Sequence, residues 1–327
     1  MTGSWPVSSN GGDTMASAVA VVGAGLVGSG WAIVFARAGH QVRVFDADAR
    51  VLASVHDRVA ASVHDLQRHG LVEDAEAICS RISVTESLAH ALTGVAYVQE
   101  SVLERVEVKR DLYETIDKLI QSDVPVGSSS SGIPASAFTE GLVNAANYLI
   151  AHPVNPPYLH PLVELVPAPW TDPSTVEATY ALMEQCGQIP IHVRGEIEGF
   201  VLNRLQGALL REAWALFEEG YASTEDIDKT VKNGLGMRWS FMGPFETIDL
   251  NAPGGVADYA QRLGPLYHSI AKDRVDPLPW SEDLIRRVEA ERRSDLLLDD
   301  LMDRCAWRDE QLMLLSAHRA HTDDRAD

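Results

Sequence analysis

An uninterrupted apolar run at Ala18–Val22 (AVAVV) reads as a strand buried on both faces, and the apolar-striped stretch from Leu26 to Ala38 reads as a helix. Gln41 to Asp46 (QVRVFD) supplies a second strand, so the chain opens on a βαβ unit. Helical periodicity at about Ala49 to His69 and Glu107 to Gln121 then alternates with short apolar runs at Ala96–Val98 and Val124–Ser128, and Tyr148–Ala151 adds a further strand. Such alternation predicts an α/β fold, a doubly wound sheet with helices on both faces.

The texture changes after about Pro190. Glu198 to Glu219 (EGFVLNRLQGALLREAWALFEE) is a long helical pattern with apolar residues on every side, which predicts burial inside its own domain or against a second subunit. Everything beyond it reads as helix. The expected organisation is a frayed polar segment at 1–16, a nucleotide-binding domain at 17–194, an all-α domain at 195–315 carrying substrate and dimer contacts, and a frayed tail from Ser316 to Asp327.

Composition narrows the partners. With 27 Lys plus Arg against 47 Asp plus Glu, the net charge of −20 has the wrong sign for gripping nucleic acid. Any anion must therefore meet a local cation or a helix N-terminus. No apolar stretch is long enough to span a membrane, and the first residues lack a basic start followed by an apolar run, so a cytoplasmic location is expected. Cys79, Cys186 and Cys305 are far apart and odd in number, which fits reduced thiols and no metal site.

Gly23, Gly25 and Gly28 form G-x-G-x-x-G between the first strand and the first helix, with Leu26 and Val27 filling the intervening turn. The first glycine permits a tight turn, the second lets backbone approach a pyrophosphate, and the third lets helix and strand pack closely. Asp46, ending the second strand, suits ribose hydroxyls and would repel a 2′-phosphate. The pattern is a Rossmann fingerprint, and the expected cofactor is NAD. A flavin uses the same fingerprint, but no further feature calls for one.

Farther along, SSSSGIP (128–134), AHPVNPP (151–157), PLVELVPAP (161–169), GFVLNRLQ (199–206) and MGPFETIDL (242–250) occur in an order that resembles the 3-hydroxyacyl-CoA dehydrogenase superfamily. The wording HPVNPPY, PLVELVPAP, EGFVLNRLQ and GLGMRW is most similar to its lambda-crystallin and L-gulonate 3-dehydrogenase branch. The resemblance implies an N-terminal Rossmann sheet followed by an all-α C-terminal domain, a homodimer, and a His–Glu pair that falls on His152 and Glu164. It also implies substrate or cofactor contacts at Ser131 and Asn203, both able to hydrogen-bond the reacting oxygen, and a segment near the nicotinamide carrying Glu100 and Lys109. Imidazole titrates near neutral pH, so His152 suits the base that removes a hydroxyl proton, with Glu164 fixing its tautomer.

The chain departs from acyl-CoA members at NGLGMRWSFMGPF, where Arg238 and Trp239 interrupt an otherwise uncharged Gly-rich stretch. A guanidinium there could clamp the carboxylate of a small hydroxy acid. The leading expectation is NAD-dependent oxidation of an L-3-hydroxy acid of the gulonate kind. Action on 3-hydroxyacyl-CoA, carnitine or a diketo ester, and a structural role without turnover, stand as alternatives.

Overall fold

The computed structural model describes residues 18–276 and 278–323. The segment 1–16, expected to fray, lies outside the described residues, as do the last four positions of the tail.

Eight strands form one sheet: β1 (Ala18–Val22), β2 (Gln41–Phe45), β3 (Ile82–Thr85), β4 (Val95–Glu100), β5 (Val126–Ser128), β6 (Tyr148–Pro153), β7 (Leu162–Pro167) and β8 (Ile189–His192). Their order is β3-β2-β1-β4-β5-β6-β7-β8, and every neighbouring pair is parallel except β6 and β7. The order in which strands are added to the sheet therefore reverses between β1 and β4, where open α/β sheets hold their ligands.

Both faces are covered, and the period-two alternation of strand side chains shows in β1. Val19 and Val21 join a core with Trp31, Phe35, Val63 and Leu66, whereas Ala20 and Val22 join one with Tyr113, Ile116, Phe138 and Phe200. The helix Leu26–Arg37 lies close to β1 because Gly28 has no side chain: a Cβ there would sit 1.8 Å from the Gly23 carbonyl oxygen. The helical stretch expected over 49–69 breaks at Ser54 into Ala49–Ala53 and Val55–Arg68.

The chain divides into two compact units. The first holds the sheet together with residues 305 onward, and the second is Leu205–Arg304. This changes the expected end of the chain. Helix Leu301–Asp323 continues through most of the supposed tail, and from Cys305 it belongs to the sheet unit. Met313 is buried in the sheet core with Leu312 and Ala317 packed against it, and positions 313 and 317 share a helix face. The second unit is helical throughout, with Arg274 bonded to both Glu212 and Glu219, and Trp280 stacked on Trp214 at 4.1 Å.

The long helix, Leu202–Glu218, has no buried residue, and Leu205 is 62% exposed, so of the two expected burials, inside its own domain or against a second subunit, the first does not occur. Among the described residues no helix is long and apolar enough to cross a membrane.

Candidate active site

The glycine turn joins the C-terminal end of β1 to the helix Leu26–Arg37. Gly23 takes φ +100°, a conformation that favours glycine, and donates its amide to the Phe45 carbonyl on β2 at 2.8 Å. Gly25 is the helix N-cap, has no side chain to satisfy the first-turn amides, and faces open space where a Cβ would be. Free amides at a helix N-terminus beside an open cradle fit a pyrophosphate. Leu26 is exposed on the first turn and Val27 half-buried. Asp46 accepts from the Ala24 amide at 2.7 Å and from the Asp48 amide at 2.8 Å, one on each oxygen, so it braces the turn and keeps further lone pairs for other donors. Arg58 holds the turn from the other side, donating to the Ala24 carbonyl at 2.7 Å and the Ser29 hydroxyl at 2.8 Å.

On the antiparallel pair of strands, His152 of β6 stands directly opposite Glu164 of β7. Its Nδ1 lies 2.7 Å from Glu164 Oε2, and both side chains are buried. The other carboxylate oxygen accepts from the amides of Val201 at 2.8 Å and Leu202 at 2.9 Å, where the chain enters the long helix. Phe200 reaches that point in a left-handed conformation, φ +49°, and its buried ring lies 5.7 Å from the imidazole. Burial pushes the Glu164 carboxyl up, but the hydrogen bonds from His152, Leu202 and Val201 outweigh it and hold the group below the ordinary range. An ionised Glu164 only accepts, so Nδ1 carries the proton and Nε2 presents a lone pair. That tautomer can act as a base.

The serine run after β5 is organised by two carboxylates. Glu104 receives the Ser131 hydroxyl, the Ser131 amide at 2.7 Å, the Gly132 amide at 2.8 Å and the Ser130 hydroxyl at 2.8 Å. Burial raises its pKa, but these four donors prevail and bring it down to about 2. Asn203 donates from Nδ2 to the Ser131 carbonyl at 2.7 Å, tying the same turn to the long helix. With its proton on Glu104, the Ser131 hydroxyl offers lone pairs outward, which differs from the oxyanion donor anticipated for it.

Glu100 and Lys109 depart from expectation more sharply. Neither is a solvated charge nor open to a ligand: Lys109 Nζ lies 2.8 Å from both Glu100 oxygens and 3.2 Å from Ser128 Oγ, with both side chains fully enclosed. Glu100 also accepts from the Ser128 hydroxyl at 2.6 Å and from the Val102 amide at 2.7 Å, completing the cluster. Burial this deep is tolerable only because the charges are mutually paired and hydrogen-bonded. The pair anchors the ends of β4 and β5 beneath the serine turn.

Two family descriptions cover nearly all of these elements: the NAD-binding domain of 3-hydroxyacyl-CoA dehydrogenase matches residues 18–197, and its C-terminal domain matches residues 199–295. The chain belongs to the 3-hydroxyacyl-CoA dehydrogenase family. It is an NAD-dependent oxidoreductase acting on CH–OH groups, in the lambda-crystallin branch. Lambda-crystallin of Oryctolagus cuniculus is 40% identical over 303 residues, spanning 91% of this chain and 95% of that protein. L-carnitine dehydrogenase of Pseudomonas syringae pv. syringae is 34% identical, spanning 87% and 85% respectively. Among solved structures, an NAD+-dependent 5-formyl-3-hydroxy-2-methylpyridine 4-carboxylic acid 5-dehydrogenase aligns with TM-score 0.70 and 26% identity over 88% of this chain and 99% of that one.

Within this family member, Arg238 and Trp239 stand in the second unit, on the short helix Gly236–Trp239 that follows a π-helical turn at Val231–Leu235. Arg238 is half-buried, and its guanidinium makes no hydrogen bond or ion pair with any described residue. Glu104 and Arg58 were not anticipated. Each sits in a charged helical or loop stretch that reads as solvated surface, and only the fold brings Glu104 to the serine turn or Arg58 to the glycine turn.

Proposed function

We propose that the chain oxidises the 3-hydroxyl of a small, free L-3-hydroxy acid, L-gulonate-like, to the 3-keto acid, with His152 as base and Glu164 as its positioning partner. The buried His152–Glu164 pair carries this reading. NAD supplies the hydride acceptor when bound. His152 Nε2 takes the hydroxyl proton, Glu164 holds Nδ1 protonated and stabilises the imidazolium that results, and in reduction the same nitrogen returns the proton. Asn203 retains one unused amide N–H for the reacting oxygen, while Ser131, its proton held by Glu104, receives a donor from substrate or cofactor.

Gly23, Gly25, Leu26, Val27 and Gly28 form the pyrophosphate cradle, and Asp46 takes the adenosine ribose. The unpaired, half-buried Arg238, with Trp239 beside it, supports recognition of a substrate carboxylate by a protein whose net charge of −20 otherwise repels it. The exposed apolar side chains of the second unit, Leu205, Leu209 and Leu210 on the long helix among them, support a homodimer joined through that unit.

Absorbance at 340 nm with NAD tests the reading against L-gulonate, L-carnitine, L-3-hydroxybutyrate and 3-hydroxybutyryl-CoA, with His152→Ala as control. Turnover of a free acid, lost in the variant, is the expected outcome. Turnover of the thioester alone would overturn the substrate class and leave the proton chemistry standing. Binding of NAD with no turnover of any panel member would favour a structural role.

A further inference from the structure

Ser129, just past β5, is the hub of a hydrogen-bond chain that the catalytic reading does not use. Its Oγ receives Trp31 Nε1 at 3.1 Å and Gln99 Nε2 at 2.8 Å, and lies 2.8 Å from Ser101 Oγ. The Gln99 amide has only one orientation that satisfies its surroundings. Nε2 also reaches the Ala151 carbonyl at 3.3 Å, an atom that only accepts, which leaves Oε1 to take the Tyr97 hydroxyl at 2.7 Å.

Valence then sets the direction of the rest. A serine hydroxyl has two lone pairs and one proton. The indole and the amide fill both lone pairs of Ser129, so its proton goes to Ser101. Ser101 accepts that bond and keeps its own proton, for which no recipient is present among the described residues.

The position of Ser101 says where that proton is offered. It directly follows β4, its amide donates to the Val22 carbonyl at 2.7 Å, and its carbonyl oxygen lies 2.5 Å from where a Cβ on Gly23 would be. It therefore sits against the glycine turn in the crevice where the sheet order reverses, and it is only half-buried. We propose that Ser101 is a dinucleotide-binding residue whose hydroxyl donates to an oxygen of bound NAD, a ribose hydroxyl or a pyrophosphate oxygen. The relay from Gln99 through Ser129 fixes the direction of that donor before the ligand arrives, so little rotamer freedom is lost on binding.

Isothermal titration of NAD, ADP-ribose and ADP into the unaltered protein, Ser101→Ala and Ser101→Cys tests the idea without a substrate. Cysteine keeps the shape but is a weak donor, so it separates hydrogen bonding from packing. Both variants should bind NAD and ADP-ribose roughly three- to tenfold more weakly if the acceptor is a neutral ribose oxygen, and more than tenfold if it is a charged pyrophosphate oxygen. ADP should be weakened if the acceptor is a pyrophosphate or adenosine-ribose oxygen, and spared if it lies on the ribose of the nicotinamide half. Native-like NAD affinity in either variant would overturn the proposal. The role rests on NAD occupying this crevice, and failure of the unaltered protein to bind NAD would be a distinct result that overturns both.

Discussion

Glu164 divides its carboxylate between His152 and the entry to the long helix: Oε2 lies 2.7 Å from the imidazole while Oε1 takes the Val201 and Leu202 amides. One residue thus fixes the tautomer of the base and the position of the segment that carries Asn203. Because His152 and Glu164 are register partners on adjacent strands, the backbone ladder sets their separation before either side chain is placed.

Glu164→Gln separates these duties. Its Oε1 can still accept the two helix amides, but Nε2 would donate to Nδ1 and force the proton onto the nitrogen that must be free. The variant should fold with a melting temperature near that of the unaltered protein and bind NAD normally, while kcat falls by about a hundredfold or more. Steady-state kinetics beside a thermal melt checks it. A kcat within a few-fold of native would exclude the tautomer role.

Removing one partner of the enclosed ion pair should be costly in a way that removing both is not. Lys109→Met leaves Glu100 buried with only Ser128 and the Val102 amide as donors. A loss of about 3–5 kcal/mol is expected, and the double variant Lys109→Met/Glu100→Leu should recover a large part of it. Denaturant unfolding of the single and double variants measures the coupling. If the single change cost less than about 1 kcal/mol, the pair would not be the anchor of the serine turn.

The second and third glycines of the fingerprint should fail differently. A methyl at Gly28 meets the Gly23 carbonyl at 1.8 Å, so Gly28→Ala must shift helix against strand and lower stability. At Gly25 the methyl meets nothing within 4 Å of protein and φ is −66°, so Gly25→Ala should melt like the unaltered protein yet bind NAD at least tenfold more weakly, because the methyl fills the cradle. Melting curves paired with NAD titration distinguish the two outcomes. Equal destabilisation by both changes would contradict the geometry.

Much of this was legible beforehand, for physical reasons. Continuous apolar runs such as Ala18–Val22 announce themselves because both faces of a central strand are buried. The outer strands did not. Ile82–Thr85 and Ile189–His192 span four residues each at the sheet edges, and the latter contains Pro190, which usually argues against a strand. In the site, His152 and Glu164 were readable from motif. Glu104 was not, since its charge lies in a run with Glu100, Arg105, Glu107 and Lys109 and local pattern cannot say which of these turns inward. The C-terminal helix was hidden by its polar end, because its hold on the sheet unit depends on Met313 with Leu312 and Ala317 rather than on a long apolar stripe.

Glu104 also predicts a pH dependence. Its folded pKa is depressed from the ordinary 4.5 to about 2 because its four donors outweigh the cost of burial. A depressed carboxylate contributes stability that is fully present above its unfolded pKa and is lost as pH falls through the folded one. The melting temperature of the unaltered protein should therefore fall between pH 4.5 and about 2 more steeply than that of Glu104→Gln, which has no proton to gain. Parallel curves over that window would mean that the serine turn does not depend on the Glu104 charge.

Arg238 gives the sharpest test of substrate class, because its cation is unpaired in a chain where most described arginines have partners nearby. Methionine keeps much of the aliphatic volume and removes the fork that grips a carboxylate bidentately. If Arg238 meets the substrate carboxylate, Arg238→Met should raise KM for the free acid by about tenfold or more, and leave KM for a neutral analogue and the Kd for NAD almost unchanged. The ratio of kcat/KM between the acid and its amide is the quantity to follow, since any general damage to the second unit lowers both and leaves the ratio alone. A ratio unchanged by the substitution would remove Arg238 from substrate recognition, and with it the main physical argument for a free acid over a thioester.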